Sequence, residues 1–353
     1  MVTKEAVMHV LSGIEDPELR KPLTDLDMVK YVNIDGGRVE VGITLTVPGC
    51  PLKARISEDV QAGLSLIEGV ESVKVEFDVM TDGQRARLKE KLGMSARPGK
   101  DDKPAVKFAK RFILVSSGKG GVGKSTVTAN LAVALARMGK RVGVLDADVY
   151  GFSMPRMLGV SGQPTVIDDK IVPLQRDGIQ VVSMGFFVDE DEPIIWRGPL
   201  LHKAINQFIT DVVWGDLDYL FLDLPPGTGD VTITIAQAIP AAELLVVTTP
   251  QATATHVAGR VARLAEKTKL KVIGVIENMA YYESNGQRDY IFGRDGGKQL
   301  AEQLGVELLG EIPLLTSIRE GSDAGSPVAE SGSEREIETF AAIARRLEAT
   351  TRR

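Results

Sequence analysis

The stretch Gly118-Lys119-Gly120-Gly121-Val122-Gly123-Lys124-Ser125-Thr126 leaves a chain little choice of fold. Residues 118–125 match the spacing G-x-x-x-x-G-K-[ST], with the apolar run Phe112-Ile113-Leu114-Val115 before them and a helical pattern over 125–138 after them. A glycine-rich turn between a buried strand and a helix start wraps backbone N–H groups around an anion, and the helix end adds fixed positive potential. Gly118, Gly120, Gly121 and Gly123 permit the close wrap, and Val122 completes the loop. Lys124 is placed to neutralise the outer phosphates, Ser125 to ligate Mg²⁺ and Thr126 to touch the inner phosphate. The expected ligands are ATP and Mg²⁺. Lys119, a second lysine inside the loop, makes this a deviant form of the motif.

Other strand ends belong with the loop. Asp146 and Asp148 close the run Val142-Gly143-Val144-Leu145, at the carboxyl edge where α/β ligands bind. Asp223 follows Leu220-Phe221-Leu222 and is expected to hold Mg²⁺ through a water. Asp148 is the candidate to orient the attacking water, with Asp146 as a supporting carboxylate. Gly227, after Pro225-Pro226, is placed to offer its N–H to the γ-phosphate, and Asn278, ending "VIEN", to read the adenine edge.

Apolar runs at 111–117, 141–148, 217–225, 242–250 and 271–278 alternate with helical stretches, among them 125–138 and 253–267. That rhythm predicts a mostly parallel, doubly wound sheet covered on both faces. Upstream the rhythm differs. A helical stripe over 3–14 precedes a breaker-rich stretch expected as loop, then alternating strands around Asp35-Gly36-Gly37, a helix stripe after Pro51 and a further strand at 70–79. The expected organisation is a small α-β-β-α-β domain over 1–92, a polar linker over 93–108 and a P-loop ATPase domain over 109–353. Ile337, Phe340, Ile343 and Leu347 form a stripe on the last helix, expected to pack on a sheet rather than anchor to a membrane.

A formal charge of −6 argues against a broad nucleic-acid surface. The apolar runs are strand-sized, which argues against a membrane span, and the opening segment lacks a sustained apolar core. With a single cysteine, Cys50, these features predict a cytoplasmic protein. Cys50 sits in "TVPGCPLK", just before a helix start that would favour its thiolate. His9, His202 and His256 show no ligand spacing.

Together, "SGKGGVGKSTVTANLAVALA", "VLDADVYGFSMPRMLG", "IIWRGPLL", "LFLDLPPGTGD" and "GEIPL" resemble the blocks of the Mrp/ApbC family, iron–sulfur cluster carrier ATPases of the deviant Walker A class. "DPEL" and "TVPGCP" resemble the small iron–sulfur assembly domain that many bacterial members carry. The resemblance implies an ATP-hydrolysing nucleotide-sandwich homodimer in which Lys119 reaches the partner's nucleotide. It also implies handover of a cluster to apo iron–sulfur client proteins. In the usual members a C-x-x-C pair after the "ENM" strand holds the cluster; here that segment reads "ENMAYYESNGQRDYIFG" and has no cysteine. Cluster ligation needs thiolates, usually four, which leaves Cys50 or a partner's ligands. Two other readings stay open: a nucleotide-gated adaptor without its own cluster, and a partition or positioning ATPase.

Overall fold

The computed structural model describes residues 2–17, 21–45, 53–91, 108–148, 151–168, 170–187, 198–227, 230–251, 254–284 and 286–350. Cys50, Trp196, Arg197 and all but the last residue of the expected 93–108 linker lie outside them. The chain divides into two compact units. One holds residues 1–102 together with 165–172; the other holds 103–164 and 173–353.

In the first unit, helix α1 (Lys4–Leu11) starts at Thr3, whose hydroxyl accepts from Ala6 N at 3.2 Å. Strands β1 (Val29–Asp35) and β2 (Arg38–Leu45) form the expected antiparallel hairpin. Helix α2 (Lys53–Ser65) then carries the chain over to β3 (Ser72–Val79), parallel to β2. A further helix, α3 (Asp82–Lys91), follows. Val39, Val41 and Ile43 of β2 pack with Val7, Leu11, Ile56, Val60 and Leu64 from α1 and α2. The stretch expected as loop contributes Leu23, Leu26 and Met28 to the same core.

The second unit is built on a sheet whose strands are β4 (Ala109–Ser117), β5 (Val142–Asp146), β8 (Leu174–Arg176), β9 (Ile179–Ser183), β10 (Leu217–Asp223), β11 (Glu243–Thr248), β12 (Lys271–Asn278) and β15 (Leu308–Ile312). Between β5 and β8 the chain forms the short strands β6 (Val166–Ile167) and β7 (Lys170–Ile171). These pair as a hairpin and belong to the first unit, where Ile167 and Val172 enter the core. Among the described residues the sheet order is β15-β12-β11-β4-β10-β5-β9-β8, parallel except for the β8–β9 edge.

The order creates the site. From β4 the chain passes through α4 (Lys124–Arg137) to β5, and β10 fills the place between them. Helices α5 (Met154–Met157) and α6 (Gly198–Thr210) lie between β5 and β10 along the chain. From β10 it passes through α7 (Asp230–Ala238) to β11 on the other side of β4. A crevice therefore opens above the carboxyl ends of β4 and β10, at a topological switch point. Helices α8 (Ala254–Thr268), α9 (Gly296–Leu304) and α10 (Thr316–Asp323) follow, before α11 (Val328–Ser331) and α12 (Glu334–Ala349).

Helix α4 is buried over most of its surface, because the sheet covers one side and α11 and α12 cover the other. Phe340, Ile343 and Leu347 of α12 are buried, as their stripe predicts. Gly310 of β15 lets Ile343 this close, since a Cβ there would collide with its side chain. Arg111, buried on β4, pairs with Glu243 at 2.6 Å and donates to Leu347 O at 2.7 Å, closing the last turn of α12.

Candidate functional site

The loop between β4 and α4 follows the geometry its glycines allow: Gly121 and Gly123 have φ of +77° and +79°. A cavity of about 210 Å³ is lined by Ser117, residues 120–126, Asp148, Met157 and Pro226. A larger cleft of about 320 Å³ lies in the first unit, bordered by Glu15, Asp16, Arg55 and Asp59. The smaller one is the candidate site, because of the two it alone gathers a phosphate loop, a helix N-terminus and strand-end carboxylates.

Asp223 is the hub. Its Oδ2 accepts from Ser125 Oγ at 2.6 Å and lies 2.7 Å from Lys124 Nζ. Its Oδ1 accepts from Thr128 Oγ1 at 2.9 Å. Lys124 also donates to Ser125 Oγ at 3.2 Å. The three residues that spacing assigns to phosphate and metal are thus brought within one hydrogen-bonded cluster. An ammonium, a hydroxyl and a carboxylate beside positive-φ glycines form a donor set that fits a Mg²⁺-bound nucleotide.

Asp146, paired in register with Asp223, is wholly buried. Its Oδ2 accepts from Ser153 N at 2.8 Å, Met154 N at 3.0 Å and Ser183 Oγ at 3.2 Å, and its Oδ1 from Asp148 N at 3.2 Å. It thereby holds the first turn of α5 above the crevice, and Met157 of that turn lines the cavity. Burial first, and then the Asp223 carboxylate, push Asp146 up to about 7. Asp148 lies at the cavity wall and accepts from Gly151 N at 3.1 Å.

The remaining expected residues also stand around the loop. Asn278 Nδ2 donates to Val122 O at 2.8 Å, so the end of β12 braces the phosphate loop from behind. Gly227 N donates to Ser117 O at 3.1 Å. Lys119 Nζ donates to Gln251 Oε1, just beyond β11. Spacing alone does not single out Gln251 or Thr128. For Thr128 a signal is present: it stands four residues after Lys124, on the same helix face.

The segment after β12 forms a small hairpin of β13 (Tyr282–Ser284) and β14 (Gln287–Asp289). Arg288 lies 4.1 Å from the Tyr281 ring, Tyr281 packs against Tyr290 at 6.4 Å, and Arg294 lies 3.7 Å from the Tyr290 ring. Glu283 pairs with Arg335 at 2.6 Å. No group of three or more His, Cys, Asp or Glu suited to a metal ion occurs among the described residues. His9 is exposed.

Residues 108–348 match the family described as NUBPL iron-transfer P-loop NTPase, and residues 4–77 match the iron–sulfur cluster assembly protein family. An iron–sulfur cluster carrier protein from Mycobacterium leprae is 46% identical over 344 residues, covering 94% of this chain and 88% of its own. One from Bacillus subtilis is 43% identical over 318 residues, covering 89% of each. A nucleotide-binding protein from Archaeoglobus fulgidus, solved in complex with ADP, is 40% identical with a TM-score of 0.56, covering 64% of this chain and 92% of its own. A P-loop crevice on a mostly parallel sheet, joined to a matched assembly domain, places this chain in the iron–sulfur cluster carrier family of P-loop NTPases.

Proposed function

We propose that the protein binds ATP with Mg²⁺, hydrolyses it to ADP and phosphate as a homodimer, and uses that cycle to gate delivery of an iron–sulfur cluster to apoproteins. The observation that carries this reading is the convergence of Lys124 and Ser125 on Asp223 inside the phosphate loop. Ser125 Oγ and, through a water, Asp223 would hold the metal, which supplies positive charge to the phosphate oxygens when bound. Lys124 neutralises the outer phosphates. Asp148 orients the attacking water and receives its proton. Asn278 reads the adenine edge while bracing Val122. Gly227 senses the γ-phosphate by exchanging its bond to Ser117 O for one to the nucleotide. Lys119 leaves Gln251 to reach the nucleotide of a second copy.

The cluster is cargo, and its ligation is the unusual part. The hairpin that follows β12 is built from tyrosine and arginine contacts and has no cysteine in its sequence. Cys50 is the chain's single thiol, so a homodimer brings two thiolates and needs further ligands from the client. Among the described residues no helix is long and apolar enough to cross a membrane. We place the protein in the cytoplasm, with apo iron–sulfur proteins as partners and without nucleic acid or membrane.

The deciding measurement is iron and sulfide content after anaerobic reconstitution, with activation of an apo-enzyme, for the wild type and Cys50→Ser. Bound cluster lost in the variant supports the carrier. No uptake by the wild type sinks it. A second reading, favoured by the thiol-free hairpin, is a nucleotide-gated adaptor. It expects partners that differ between ATP-bound and ADP-bound protein, and identical partner sets would exclude it.

A further inference from the structure

Thr128 lies one turn beyond Lys124 in α4 and is fully buried. A threonine inside a helix commonly turns its hydroxyl back to the carbonyl four residues earlier, and Thr128 Oγ1 is 2.9 Å from Lys124 O. The same hydroxyl is also 2.9 Å from Asp223 Oδ1, an acceptor on a different element. The two oxygens of Asp223 thus have separate duties. Oδ1 faces Thr128, while Oδ2 faces Ser125 Oγ at 2.6 Å and Lys124 Nζ at 2.7 Å. The terminal torsion of an aspartate is broad and nearly two-fold, so a carboxylate without a fixed partner presents either oxygen. A buried hydroxyl on one side removes that freedom.

We propose that Thr128 is a positioning residue for the metal-binding carboxylate. By holding Oδ1 it keeps Oδ2 turned toward Ser125, where the Lys124 ammonium and a water on the nucleotide-bound divalent cation are alternative partners for the same oxygen. The inference rests on the ATP–Mg²⁺ reading above. Thr128 itself does not line the phosphate-loop cavity. Its loss should therefore weaken what magnesium adds to nucleotide affinity and spare the affinity measured without metal.

The test uses the full chain and a fluorescent ADP analogue, titrated in excess Mg²⁺ and in EDTA, with thermal unfolding alongside. The readout is the ratio of the two dissociation constants for wild type, Thr128→Ser and Thr128→Val. Because a hydrogen bond to a charged group is lost, the magnesium advantage should fall about tenfold in Thr128→Val. In Thr128→Ser it should stay within about twofold of wild type, with metal-free affinity likewise unchanged in both. If the valine variant fails to fold, Thr128→Ala removes the same hydroxyl without a new methyl group in the core. A wild-type ratio in the hydroxyl-free variant, or equal losses with and without metal, overturns the positioning role. Wild-type protein that binds no ADP analogue overturns the ATPase reading as well.

Discussion

Lys124 Nζ and Asp223 Oδ2 stand 2.7 Å apart, with only 6% and 0% of their side chains exposed. The loop cation and the strand-end carboxylate neutralise each other away from water. Removing one member of such a pair leaves a buried charge and costs about 3–5 kcal/mol. Lys124→Ala should thus lower stability as well as abolish nucleotide binding. The double variant Lys124→Ala, Asp223→Asn should recover much of the stability and none of the binding. Denaturant titration beside nucleotide binding checks both halves; an equally unstable double variant would show that the pair is not coupled.

Asp148 should separate binding from turnover. Replacement by Ala is expected to slow hydrolysis by roughly 10²–10⁴-fold, the usual contribution of a positioned acid or base. ATP affinity should stay within a few-fold. Single-turnover kinetics with equilibrium binding decide the matter, and normal turnover would remove Asp148 from the mechanism.

Gly123 and Asn278 should behave as a strained junction. At Gly123 φ is +79°, and an added Cβ would collide with Asn278 Nδ2. Gly123→Ala is predicted to abolish nucleotide binding, and Asn278→Ala in the same chain should relieve the collision without restoring it, because the backbone remains left-handed. Asn278→Ala alone loses the bond to Val122 O and should weaken binding by up to about tenfold. Wild-type affinity in Gly123→Ala would disprove the loop geometry.

Asp146 makes a pH prediction. Its folded carboxyl is raised to about 7 by burial and by Asp223, whereas in the unfolded chain it titrates as an ordinary aspartate. Between those values the folded state keeps a proton that the unfolded state has released. Stability from this group is therefore present at low pH and lost as pH rises toward 7. Asp146→Asn should remove that slope and add a pH-independent cost for its lost acceptor. Urea unfolding at about pH 5 and about pH 8, on either side of that titration, measures it. The wild type should lose stability relative to the variant at the higher pH. Parallel behaviour of the two proteins would refute the shift.

Ile167 lies far along the chain from the strands of the first unit, yet it is buried in that unit's core. Ile167→Ala should destabilise the unit by about 2–4 kcal/mol. Hydrogen exchange at α1 and β2 reports it. Unchanged protection there would show that the hairpin adds nothing to this core.

The parts of the site that can be read from sequence are those fixed by local spacing. Lys124, Ser125 and Asp223 sit at the ends of a helix and a strand whose patterns are unambiguous, and the fold brings their side chains into contact. What spacing does not disclose depends on distant chain. Asp146 acts as an anchor because the backbone returns to it at Ser153 and Met154. Lys119 finds Gln251 across 132 residues. The breaker-rich stretch before β1 hides core residues for another reason. Its turns satisfy their own backbone, as in Met28 N to Leu23 O at 3.0 Å, and so Leu23 and Leu26 can be buried without a helix or strand. Helix α3 gives no signal because "DGQRARLKEK" has no apolar period; among its described side chains only Leu88 is buried.

The hairpin after β12 carries two tilted tyrosine rings, Tyr281 and Tyr290, flanked by the guanidinium groups of Arg288 and Arg294. Contacts of this kind involve no electron transfer and no exchangeable ligand. Air, peroxide or a chelator that dismantles iron–thiolate bonds leaves them as they were. In this chain the packing of that hairpin consequently needs no bound metal.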